Sequence, residues 1–143
     1  MFKRIILTLT LVISTGIIFG QSDSTSGNNK FHSNICFLRE TGYTGSARKF
    51  KIFFDGKLVG RLNNNSYATK MVQPGNHSFS VQLDGTELQE STERLELITE
   101  PNKTYYFASI LEVGAFMSKT YFIEITENSA LKRIKKLIQN KDF

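Results

Sequence analysis

Cysteine occurs once in the 143 residues, proline twice and histidine twice, and each scarcity closes a route. One cysteine makes no intrachain disulfide, so a hydrophobic core must hold the fold. Cys36 stands among Ile35, Phe37 and Leu38 and reads as a core residue, against the alternatives of a reactive thiol or an intermolecular bridge. Catalytic zinc needs three protein ligands, which two separated histidines, one cysteine and scattered carboxylates do not supply in any linear pattern. The chain also lacks a G-x-S-x-G elbow, a phosphate-cradling G-x-x-x-x-G-K, an EF-hand loop and H-E-x-x-H. No metal and no cofactor is therefore expected. The 13 acidic residues still allow an acid–base pair assembled only in three dimensions. Charge of one sign is scarce too, because the formal excess is only +5 and it is dispersed, which argues against nucleic-acid binding.

What is present begins at the amino terminus. Lys3 and Arg4 precede an apolar stretch from Ile5 to Phe19 that ends at the small residue Gly20, the pattern of an export signal. The stretch is shorter than the roughly 20 residues that cross a bilayer, and no later run could span. Residues 1–20 are thus expected to be removed with cleavage close to Gln21, leaving 123 of the 143 residues and lowering the excess from five to three as Lys3 and Arg4 depart. Ser33, Asn34 and Ile35 before Cys36 are not the small-residue context of a lipid-attachment cysteine. The implied address is the periplasm, the outer envelope or the medium. Residues 21–33 open with QSDSTSGNNK, too polar to repay ordering, and read as a flexible leader; one domain is expected over 34–143.

Within it, short β-type runs alternate with turn signals. KFKIFF and KLVGRL flank Asp55-Gly56, a type I′ hairpin signal that puts Phe50, Ile52 and Phe54 on one face and Lys49 and Lys51 on the other. Gly60 marks a bulge or a close backbone approach. Ser66 to Val72 makes a third run, and Pro74-Gly75 suits the centre of a type II turn before His77, Phe79, Val81 and Leu83 alternate with polar residues. Leu95 and Leu97 alternate likewise. TYYFASILEV carries apolar residues on both faces, as a central strand covered on two sides would; Tyr121 to Thr126 follows. About eight strands without intervening helices predict a mainly β protein, an antiparallel sandwich.

Only the end changes period. Ala130, Leu131, Ile134, Leu137 and Ile138 share one helical face, and Lys132, Arg133, Lys135 and Lys136 the other. A single amphipathic helix, capped by Asn128 or Ser129, is expected to dock through Leu131, Ile134 and Ile138. Its basic face reads as solvated surface, with peripheral contact to anionic lipid or envelope polymer as the functional alternative.

FLR at 37–39, FFDGKLVGRL at 53–62, PGNH at 74–77 and NKTYYF at 102–107 together resemble a family of exported bacterial proteins catalogued as a domain of unknown function, similar in style to PEGA-type β-sandwich modules. The resemblance implies an immunoglobulin-like or prealbumin-like sandwich and an envelope address, and no assigned activity. Asp55, Gly56, Pro74 and Gly75 have turn roles. Arg39 is a candidate binding residue, read either as pairing with a carboxylate inside the fold or as lying at an exposed binding edge. His77 is read as a satisfied strand-end histidine or a ligand-binding group. The expected function is a non-enzymatic module that binds an envelope protein or glycan. The alternative is a small exported hydrolase, which a buried carboxylate beside His77 in a concave pocket would favour. A third reading is a ligand carrier that stacks its ligand on an exposed cluster of Tyr43, Phe53 and Tyr67.

Overall fold

The computed structural model describes residues 31–43, 45–141 and 143. The expected signal segment and the leader up to residue 30 lie outside them. The elements in chain order are β1 (Ser33–Arg39), β2 (Phe50–Phe54), β3 (Lys57–Leu62), β4 (Ser66–Val72), β5 (Gly75–Gln82), β6 (Leu95–Thr99), β7 (Thr104–Val113), β8 (Ser118–Glu124), α1 (Glu127–Ile134) and β9 (Ile138–Gln139). No described helix is long and apolar enough to cross a membrane.

Strand geometry sends successive side chains to opposite faces, so β1 places Ile35, Phe37 and Arg39 on one side and Cys36 and Leu38 on the other. Both sides are buried, which is why the run is almost continuously apolar. Two sheets result, one ordered β8-β7-β1-β4-β9 and the other β3-β2-β5-β6. Between them Ile35, Phe37, Phe107 and Phe122 of the first meet Phe50, Ile52, Phe79 and Val81 of the second. Ring centroids lie 5.0 Å apart for Phe37 and Phe122 and 4.5 Å for Phe79 and Phe107; such pairs add about 0.5–1.5 kcal/mol each beyond burial. On the far side of the five-stranded sheet, Ala130, Ile134 and Leu137 pack on Cys36, Leu38, Tyr67 and Tyr106. The β-sandwich carries its helix as a third layer.

The expected mainly β sandwich is observed, in two antiparallel-rich sheets, and several of its details differ. The sandwich is not wholly antiparallel, because β1 pairs with β7 in parallel from Asn34↔Thr104 to Arg39↔Ser109, and β4 with β9 likewise. Parallel pairing needs a long crossover, and the excursion through the second sheet supplies it. A ninth strand of two residues joins the eight. Pro74-Gly75 is not the centre of a type II turn: Gly75 already belongs to β5 with φ 144° rather than the roughly +80° of that turn, because β4 and β5 belong to different sheets and the chain must cross the roughly 10 Å between layers. Finally, Thr126 caps α1, its Oγ1 accepting from the Ser129 amide at 3.4 Å. Ile134 docks as expected while Leu131, within α1, and Ile138 stay exposed; the helix stops at Ile134, and Ile138 leaves the helical period because the chain has turned into β9.

The hairpin reading holds in detail. Asp55 and Gly56 have φ of 48° and 75°, the two positive values a type I′ turn requires. The β2–β3 register slips after Ile52, leaving Val59 as a bulge. Gly60 is a close approach as well, because a Cβ there would fall 2.5 Å from the Phe143 ring, which packs into the core 5.7 Å from Phe37.

Register also sorts the loops. At the upper end, where β1 finishes at Arg39 beside Ser66 and Ser109, lie the β1–β2 loop, the Asn63–Asn65 turn, the β7–β8 turn and the end of α1, whose Arg133 stands 3.6 Å from Glu40. The lower end holds the Asp55-Gly56 turn, the β4–β5 connection and the Pro101–Lys103 turn.

Candidate functional site

Sequence reasoning singles out His77 and the Asp55 turn separately, and the fold joins them. Because β2 and β5 are antiparallel neighbours with Phe54 opposite Phe79, the turn that follows β2 lies against the start of β5. Asp55 Oδ1 accepts from the Ser78 amide at 2.9 Å, and the Asp55 amide donates to the Ser78 carbonyl at 2.7 Å. Asp55 Oδ2 lies 2.9 Å from His77 Nδ1, and His77 Nε2 lies 2.8 Å from the Gln73 carbonyl oxygen. Both partners of the ring are acceptors, so only an imidazole protonated on both nitrogens donates to each. The ring rests on Phe54 with centroids 4.7 Å apart. Partial burial raises the Asp55 carboxyl, but the Ser78 amide, the His77 ring and the charge of Lys70 outweigh it, so the group lies below its ordinary value.

A cavity of about 510 Å³ opens beside this pair, lined by Asp55, Asn76, His77, Ser78, Glu96 and Ile98. A hydrolase would be favoured by a buried carboxylate beside His77 in such a concavity. The carboxylate is in place but not buried, since the Asp55 side chain is 48 % exposed, and both imidazole nitrogens are engaged. The depressed carboxyl gives a pH prediction. A carboxylate with a lowered folded pKa contributes stability that is complete above its unfolded value of about 3.9 and fades as pH falls through the folded one. At this exposure the contribution is about 0.2–1 kcal/mol. Asp55→Asn is expected to flatten the stability profile below about pH 4, as measured by denaturant titration; an unchanged acid limb would show the bonds to Ser78 and His77 to be without energetic weight.

Arg39 matches neither of its expected roles. It is 0 % exposed, so it forms no exposed edge, and its hydrogen-bond partners include no carboxylate. Nη1 donates to the Arg48 and Leu62 carbonyls at 2.6 and 2.8 Å, Nη2 to the Gly45 carbonyl at 2.8 Å, and Nε to Thr41 Oγ1 at 3.2 Å. Its guanidinium carbon stands 3.6 Å from the Phe50 ring centroid. Burial lowers its pKa to about 10, which leaves it cationic at neutral pH. Sequence favours a carboxylate as the partner of a buried arginine; here carbonyls of the loop and of β3 serve instead. The residue fastens the β1–β2 loop to the opposite sheet.

The stacking trio does not assemble. Tyr43 is 99 % exposed, Phe53 is 1 % exposed, and Tyr67 packs near the helix. Cys36 is buried there, and burial pushes its thiol above the ordinary value. A second cavity of about 340 Å³ at the upper end is lined by Gln82, Asp84, Thr92, Glu93 and Lys119 among others. Its polar groups are engaged internally: Gln82 Nε2 donates to the Asp84 and Glu87 carbonyls and Gln82 Oε1 accepts from Thr92 Oγ1, while Lys119 pairs with Glu93 at 2.6 Å. No group of three or more metal-ligating side chains exists among the described residues.

The model of the family described as "Protein of unknown function (DUF2846)" matches residues 29–120, from the start of the described chain into β8. The chain belongs to this family. The match takes in Arg39, Asp55 and His77 and stops before α1 and β9. A protein of Haemophilus influenzae (strain ATCC 51907 / DSM 11121 / KW20 / Rd), described as "Uncharacterized protein", is 26 % identical over 108 residues, covering 76 % of this chain and 61 % of its own length. The chain thus spans about three fifths of that relative. No solved structure matches.

One feature of the upper end gives a weak sequence signal. Gly114-Ala115-Phe116-Met117 joins β7 to β8, with the Gly114 amide donating to the Met117 carbonyl at 3.0 Å. Phe116 is 100 % and Met117 83 % exposed. Two large apolar residues in a glycine-led turn between strands are legible in sequence, but their exposure is not.

Proposed function

We propose that this protein is an exported, envelope-associated β-sandwich module that binds a protein or glycan partner and carries out no catalysis of its own. The observation that carries the reading is the setting of His77: Asp55 Oδ2 lies 2.9 Å from one ring nitrogen and the Gln73 carbonyl oxygen 2.8 Å from the other, so both nitrogens face protein acceptors and neither contacts a side-chain nucleophile. The apolar stretch behind Lys3 and Arg4 supports the export half. The hydrolase reading keeps one observation, the carboxylate and imidazole side by side at a cavity mouth.

One preparation tests both halves. Protein recovered from the envelope or medium is expected to begin close to Gln21, to show no hydrolytic turnover, and to gain no thermal stability from zinc or calcium. A true glycan or protein partner raises its melting temperature, because a ligand selective for the native state adds RT ln(1 + [L]/Kd). Turnover that His77→Ala abolishes would establish the hydrolase instead, and retention of Met1 would overturn the cleaved export signal.

A further inference from the structure

The upper end brings together two features that are remote in sequence. The β7–β8 turn projects Phe116 and Met117 into solvent, with Val113 exposed below them and Tyr43 exposed on the neighbouring β1–β2 loop. The β1–β2 loop lies against the upper part of β7, since a Cβ on Gly45 would fall 2.7 Å from Leu111 Cδ2. The end of α1 reaches the same end of the sandwich through Arg133 and Glu40, and there the exposed Lys135 and Lys136 follow. From β7 to β9 the first sheet spans three inter-strand steps, or roughly 15 Å. One end of the molecule thus offers a protruding apolar tip and, roughly 15 Å across the sheet, exposed ammonium groups.

The geometry points to this end as a peripheral docking surface for an anionic lipid bilayer. The tip is exposed and apolar, which suits a deformable interface, where Phe and Met enter the acyl boundary without a preformed pocket. The turn holds them outward firmly: Gly114 is required because a Cβ would fall 2.7 Å from the Met117 carbonyl oxygen. The lysines complete the fit, because cations beside an inserted apolar group attract anionic headgroups. The docking is independent of which protein or glycan the module binds, so this proposal and the binding reading above can fail separately.

The chain contains no tryptophan, so Phe116→Trp creates a single reporter at the tip. With full-length protein and vesicles containing phosphatidylglycerol, its emission is expected to move to shorter wavelength and to be quenched by brominated acyl chains. Phosphatidylcholine vesicles should give a much smaller change. Adding Lys135→Gln and Lys136→Gln should weaken the anionic response roughly tenfold to thirtyfold. Met71→Trp, at the lower end, should remain solvent-like throughout, and since every variant carries the same residues 1–30, any contribution of that segment is common to all. Three results overturn the proposal: an unshifted Phe116→Trp spectrum on anionic vesicles, an equal shift on neutral ones, or a concentration-dependent shift without vesicles, which would make a second copy of the chain the occupant.

Discussion

Arg39→Met is expected to destabilise the domain by roughly 3–4 kcal/mol, a large fraction of the stability of a single domain. The substitution preserves length and apolar contact with Phe50 but withdraws the donors to the Arg48, Leu62 and Gly45 carbonyls and to Thr41 Oγ1. A buried carbonyl without a donor costs about 1–3 kcal/mol. Two terms pull the other way: the desolvated charge disappears, and the loop carbonyls turn toward water. Arg39→Lys should recover little, because one ammonium cannot span a strand carbonyl and two loop carbonyls that a planar fork reaches together. Denaturant melts give the energy, and limited proteolysis locates it, with new cleavage between Thr41 and Arg48. Loss of stability without loop cleavage would show that Arg39 acts through core packing alone.

What the sequence makes legible divides from what it does not along a physical line. Strand identities follow from local pattern: Thr104 to Val113 is readable to the residue from its aromatic and aliphatic residues on both faces, and Ser66 to Val72 from the turn signals that flank it. The Asp55-Gly56 turn is readable because positive φ at both positions admits few residues. What sequence does not carry is pairing between distant segments. Nothing local says that β1 lies beside β7 in parallel, that Pro74-Gly75 bridges two sheets, or that the turn after β2 delivers its aspartate to His77. Arg39 shows the same limit, since the carbonyls it binds belong to a loop and a strand whose positions only the fold sets. Ile138 marks another: a helical face projected past Ile134 describes a continuation that β9 pre-empts.

Removing Ser129 to Phe143 is expected to abolish the cooperative thermal transition. The deletion strips Ala130, Ile134 and Leu137 from the outer face of the first sheet, uncovering Cys36 and Leu38. It also removes Asn140, which donates to the Arg61 carbonyl at 2.8 Å and accepts from Asn63 at 2.7 Å, and it leaves the upper part of β4 as an open sheet edge. Phe143 goes with it, emptying the space between the sheets beside Phe37 and Gly60. Fully burying an aliphatic side chain is worth about 1.5–3 kcal/mol and truncating a core phenylalanine costs about 3–5, so the combined loss rivals the roughly 5–15 kcal/mol by which a domain is stable. Phe143→Ala separates the parts: its ring is only partly buried, so a loss of about 2–3 kcal/mol is expected, with the helix layer intact by circular dichroism. A truncated chain that melts cooperatively near the parent temperature would show that the sandwich holds itself together without the third layer.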